Sequence, residues 1–119
     1  MNKAVKIGFW VSLSLASLAL VAGGAAKLAG VEQVHMSFSI MGLPVWFGYF
    51  IGLCEVLGGI GLWIRRVSSL AAVGLLIIMT GALYFHVVYE SAVNGIPAFV
   101  ISLLLINIIV RRRKDRPAF

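Results

Sequence analysis

Three ionisable side chains stand where so apolar a chain has little room for them. Glu55 lies eleven residues past Pro44 in a stretch otherwise free of charge as far as Ile64, His86 interrupts the stretch Val67 to Val88, and Lys27 closes the stretch that begins at Ile7. At 1.5 Å per residue Glu55 is about 16 Å into its segment. If that segment crosses a bilayer, the residue is near the midplane, where a charged side chain costs about 2.5–3.5 kcal/mol. An acid there must be neutral, paired or functional, and the chemistry open to it is proton exchange or the holding of a polar ligand.

Spacing indicates which way each residue faces. On a helix Gly48, Gly52, Glu55 and Gly59 share a narrow arc, so the acid points at a neighbouring helix that small residues allow to come close. Lys27 shares a face with Ala16, Leu20 and Gly23, and His86 with Leu75, Met79 and Ala82. Each also has a plain structural reading: an acid hydrogen-bonded across a helix interface, a lysine snorkelling to head groups, a packed histidine. Taken together, in helices of alternating direction, Lys27 and His86 occupy one leaflet and Glu55 lies about 7–10 Å deeper, a gap that a lysine side chain largely covers. The expected site is therefore a pocket in which Lys27, Glu55 and His86 bind a ligand and Glu55 and His86 handle protons. Burial and the neighbouring ammonium act on the acid in opposite senses, and their balance decides whether it exchanges protons. Gly48, Gly52 and Gly59 are the expected helix-packing positions.

Other signals are weaker. His86 and Glu90 are one turn apart with His35 on the same side, but no third ligand follows at a defined spacing, and no metal site is assigned. The lone Cys54 excludes an internal disulfide, a Cys-x-x-Cys pair and a multi-cysteine metal centre. It points away from Glu55 and reads as a small packing residue. Ser102 and Asn107 are candidates for bonds between helices.

The elements that must position these residues follow from composition. The chain has 119 residues, 61% of them hydrophobic and 12% charged, with a mean hydropathy of +1.05. Such a balance excludes a solvated globular domain, a disordered tail and a coiled coil. At about 20 residues per span only one domain of four helices fits, with nothing left for a soluble catalytic domain. The expected spans are about 7–29, 44–64, 67–89 and 93–110, with an outer lid over 31–43 and a basic tail over 111–119. In the lid, Val31, Val34, Phe38 and Met41 recur at helical spacing while Ser37 and Ser39 alternate with apolar residues at strand spacing.

The fold class predicted is an all-α membrane protein, a four-transmembrane-helix bundle with both termini cytoplasmic. Lys3, Lys6, Arg65, Arg66 and the basic run from Arg111 to Arg116 fall on one side after an even number of crossings, and only Lys27 falls on the other. Trp10 and Trp63 belong near the inner boundary, and Trp46, Tyr49, Tyr84 and Tyr89 near the outer one. The first 26 residues also have the layout of a secretory signal, ending on the small residues Ala22, Gly24 and Ala26, and are read here as a retained span. The net charge of +6 is matched to lipid head groups rather than nucleic acid, and the expected partners are the bilayer and either further copies of the chain or another membrane protein.

Several motifs occur in order: Ala22-Gly23 with Lys27-Leu28 and Gly30, Gly42-Leu43-Pro44, Glu55 followed by Gly58 and Leu62, and Gly81-Ala82 with His86. In these the chain resembles the DoxX-like family across about residues 5 to 110. The resemblance implies a four-helix membrane bundle whose matching polar positions are Lys27, Glu55 and His86. It also implies a link to quinone-dependent thiosulfate oxidation, to membrane complexes handling oxidative stress, or, in distant animal relatives, to chaperoning of receptor assembly. This chain has no second cysteine and no large loop for autonomous sulfur oxidation. Three functions fit, in descending order. The first is an accessory subunit of a quinone-linked redox system in a bacterial inner membrane, with a quinone as the possible cofactor, none of it covalently bound. The second is a scaffold, assembly factor or chaperone for other transmembrane helices. The third is a small proton-coupled exporter, similar to the small multidrug resistance family, in which however the essential acid is on the first helix.

Overall fold

The structure, a computed structural model, describes residues 2–115, with side chains through residue 112. Asn2 opens helix α1 (Lys3–Leu28) by accepting a hydrogen bond from the Val5 amide at 2.9 Å, which satisfies one of the free amides of the first turn. Gly30, at φ +79°, ends it by turning the chain through the left-handed region. A short helix α2 (Glu32–Ile40) follows, and Gly42 at φ +77° with Pro44 then redirects the chain into α3 (Val45–Gly61). Turns over residues 62–67 lead to α4 (Ser68–Tyr89), and a 3-10 turn (Ala92–Gly95) leads to α5 (Ile96–Asp115).

Among the described residues no strand occurs. The two competing periods in residues 31–43 resolve as helix, because a lone strand at a membrane surface leaves its amides and carbonyls unpaired while a helix pairs them internally. Lys3–Leu28, Ser68–Tyr89 and Ala92–Arg112 are each long and apolar enough to cross a membrane. α3 has 17 residues and is bent from α2 by 119°; the two helices are long and apolar enough for a span only when taken together, across that bend.

The long helices close a ring: α1 packs on α3 and α5, and α4 packs on α3 and α5. Phe9, Leu13, Leu20, Leu62, Leu75 and Leu105 fill its centre. Large apolar residues such as Leu18, Val45, Leu70 and Val93 cover the outside, as expected of a surface solvated by lipid tails.

One end of the ring differs from the expected basic tail. α5 continues past residue 110, and Arg112 is a helical residue only 6% exposed. Its Nε donates to Ser68 Oγ at 3.1 Å and its Nη2 to the Leu62 carbonyl at 3.4 Å, while its guanidinium lies 4.7 Å from the Phe9 ring centre. Position in the tail points to contact with head groups; the Leu62 carbonyl and Ser68 hydroxyl beside the α3–α4 turn and the aromatic faces at the start of α1 make a better partner than head groups alone. Trp63 Nε1 donates to Ser17 Oγ at 2.8 Å, Ser17 Oγ donates to the Gly59 carbonyl at 2.9 Å, and Trp63 stacks on Trp10. The start of α1, the α3–α4 turn and the end of α5 thus meet at one end, and the long helices alternate in direction. Asn107 donates across to Ser12 at 3.1 Å, but Ser102 bonds within its own helix, to the Ala98 carbonyl at 2.8 Å. A serine hydroxyl reaches its own preceding turn more readily than a neighbouring helix.

Candidate functional site

α1 and α3 touch backbone to backbone at the end opposite Arg112. A Cβ on Gly24 would lie 2.6 Å from the Gly52 carbonyl oxygen, and one on Gly52 would lie 2.7 Å from Lys27 Cβ. This approach brings Lys27, less than one turn beyond Gly24, onto Glu55, less than one turn beyond Gly52. Lys27 Nζ stands 2.7 Å from Glu55 Oε1. The carboxyl is buried, its residue 3% exposed, while the lysine side chain is 16% exposed. No donor of good angular geometry serves Oε1 among the described residues, so it is the proximity of the ammonium that offsets desolvation of the acid.

Gly48, Gly52 and Gly59 are buried on the same face of α3 as Glu55. Their neighbours lie within this chain: His35 over Gly48, Lys27 and Gly24 over Gly52, Val21 over Gly59. His35, on α2, donates from Nε2 to the Lys27 carbonyl at 2.7 Å, since a carbonyl can only accept, and its ring lies 4.4 Å from that of Tyr49. α2 is thereby tied to the residue whose side chain holds Glu55.

Beside this pair is a cavity of about 650 Å³. Its walls are mainly apolar, with Phe38, Phe47, Ile51 and Met79 among them, and Lys27, Glu55 and His86 all reach it. His86 touches neither of the other two through a hydrogen bond. Its Nδ1 pairs instead with Glu90, one turn along α4. The structure therefore joins Lys27 and Glu55 directly and places His86 on the wall of the same cavity with a carboxylate of its own.

Cys54 is free and half-buried, and among the described residues no three of His, Cys, Asp and Glu cluster as metal ligands. Two participants were not evident from spacing. Gly24 is the closest-packed glycine of α1, for which its position three residues before Lys27 was the available signal. The sequence placed His35 only on the same side as His86 and Glu90, and its bond to Lys27 depends on the turn at Gly30.

A sequence profile of the DoxX-like family matches residues 11–109, a stretch that contains Lys27, Glu55, His86 and nearly all of the ring. The chain belongs to the DoxX-like family. No curated protein and no solved structure matches it. In this DoxX-like chain the apolar cavity with one ion pair and one imidazole–carboxylate pair can receive a molecule that is mostly apolar and carries a few hydrogen-bonding atoms.

Proposed function

We propose that this DoxX-like protein is an accessory membrane subunit of a quinone-linked redox system, binding the quinone head in the cavity beside Lys27 and Glu55. The supporting observation is the placement of a buried ion pair on the wall of a mainly apolar cavity. A charge pair held in such surroundings gains little for stability over apolar residues of similar size, so a ligand that uses its donor and acceptor explains its presence better than folding does. Lys27 orients an acceptor oxygen of the head. Glu55 and the His86–Glu90 pair give and take protons at the two sides of the cavity, and a partner enzyme supplies or removes the electrons.

The purified protein in lipid nanodiscs is expected to bind a short-chain benzoquinone saturably, one per chain, by isothermal titration. The double variant K27M/E55Q, which removes both charges together, is expected to bind at least about tenfold more weakly, the value of a charge-assisted hydrogen bond. Equal affinity in the two proteins would overturn the reading.

The same proposal has four crossings, with α2 at the outer surface and both termini in the cytoplasm of a bacterial cell. It is favoured by Lys3, Lys6, Arg65, Arg66, Arg111 and Arg112, which belong to the segments that meet at the Arg112 end of the ring. A fluorescent protein fused to the C-terminus is expected to fold and fluoresce, and alkaline phosphatase fused at the same point to be inactive. An active phosphatase would reverse the orientation. A scaffold role for other membrane helices is the second reading. The glycine stripe of α3 does not favour it, since α1 and α2 of this chain already lie on that stripe. A proton-coupled exporter comes third, and a pH-gradient-driven flux lost in E55Q would bring it forward.

A further inference from the structure

The cavity opens sideways. α2 packs on α3 and the end of α1, while α4 packs on α3 and α5, so the α2 and α4 walls of the cavity meet without substantial helix packing between them. Ile77 and Tyr84 of α4 line the cavity and are also 69% and 57% exposed, which places its rim on the outward face of that helix. In a bilayer such a rim is bathed in lipids and free fatty acids, many with anionic heads. An ammonium standing alone among apolar walls would capture a carboxylate or phosphate from this pool, because the anion would relieve the cost of its desolvation.

Neither basic side chain on the cavity wall stands alone. Lys27 has Glu55 at 2.7 Å, and His86 has Glu90. Lys27, Glu55, His86 and Tyr84 are the titratable side chains on the wall. We infer that Glu55 is a specificity determinant: by occupying the anion position beside Lys27 it closes the cavity to fatty acids and anionic lipids and leaves it open to lipid-borne molecules with uncharged heads. This rests on the cavity being a ligand site, and it deepens that reading by stating the charge of the ligand's head.

The test uses phosphatidylcholine nanodiscs holding the full chain, with spin-labelled stearate and its methyl ester as probes in mildly alkaline buffer. The fraction immobilised by the protein and displaced by excess short-chain benzoquinone is read by electron paramagnetic resonance. The wild type is expected to hold the ester in preference to stearate. E55Q is expected to raise stearate association about tenfold, and K27M/E55Q to abolish the gain. A wild type that prefers stearate, or an E55Q protein whose stearate association stays at the wild-type level, would overturn the inference; the first arm needs no variant to fold. If the competitor benzoquinone displaces neither probe while dodecanol displaces the ester alone, the quinone reading fails and the charge selectivity stands. If neither competitor displaces either probe, both fail.

Discussion

K27M is expected to destabilise the protein by about 3–5 kcal/mol, the usual cost of leaving one partner of a buried ion pair uncompensated. Glu55 has the ammonium as its compensating charge and is buried at a contact of two helices, so without Lys27 its carboxylate faces apolar walls and the backbone of α1. E55Q is expected to cost far less. Lys27 stands near the end of α1 on a flexible stem, partly exposed, and its head can swing toward the cavity or the membrane surface. K27M/E55Q is expected to return to within about 1 kcal/mol of the wild type, because removing both charges restores balance. Unfolding by sodium dodecyl sulfate, followed by circular dichroism across the four proteins of the cycle, checks this. Additive single effects would show that the two groups do not depend on each other.

G52V is expected to be the other severe change. The new Cβ would stand 2.7 Å from Lys27 Cβ and 2.9 Å from the Gly24 carbonyl oxygen, and both obstacles are on or next to the α1 backbone, so rotamer changes cannot relieve them. α1 and α3 would have to part, at an overpacking cost of about 1–3 kcal/mol. Parting them also draws Lys27 from Glu55, so quinone affinity is expected to fall along with stability. G74V is the control. A Cβ at Gly74 meets nothing within 4 Å, and that variant is expected to leave both stability and binding unchanged. If G52V unfolded and bound like G74V, the close approach of the two helices would not be what assembles the pair.

Both changes bear on residues whose facing was readable beforehand. The arc of Gly48, Gly52, Glu55 and Gly59 is a local property: helical geometry alone puts the four residues together, and a face of glycines and one acid has no reason to seek lipid. The approximate helix positions were legible for a similar reason, since charge-free runs bounded by Gly, Pro and Arg leave few alternatives. What spacing could not supply was the partner across a gap. That His86 bonds Glu90 rather than reaching Glu55 depends on how α4 rotates against α3, which no single helix records. The helical form of residues 32–40 goes with the absence, among the described residues, of any strand to pair with. The burial of Arg112 was hidden for the opposite reason: a run of consecutive basic residues looks uniform, and the Leu62 carbonyl, the Ser68 hydroxyl and the Phe9 ring that Arg112 meets all lie far from it in the chain.

That arginine also orders events during synthesis. The turn joining α3 to α4 leaves the ribosome with the Leu62 carbonyl within reach of a first donor, the Ser68 hydroxyl at 2.7 Å, and the guanidinium that adds a second bond arrives only near the end of α5. Until α5 packs on α1 and α4, those helices and α3 wait in the membrane as an open arc, and a chain truncated before α5 would present that unfinished edge to whatever quality-control protease patrols the bilayer.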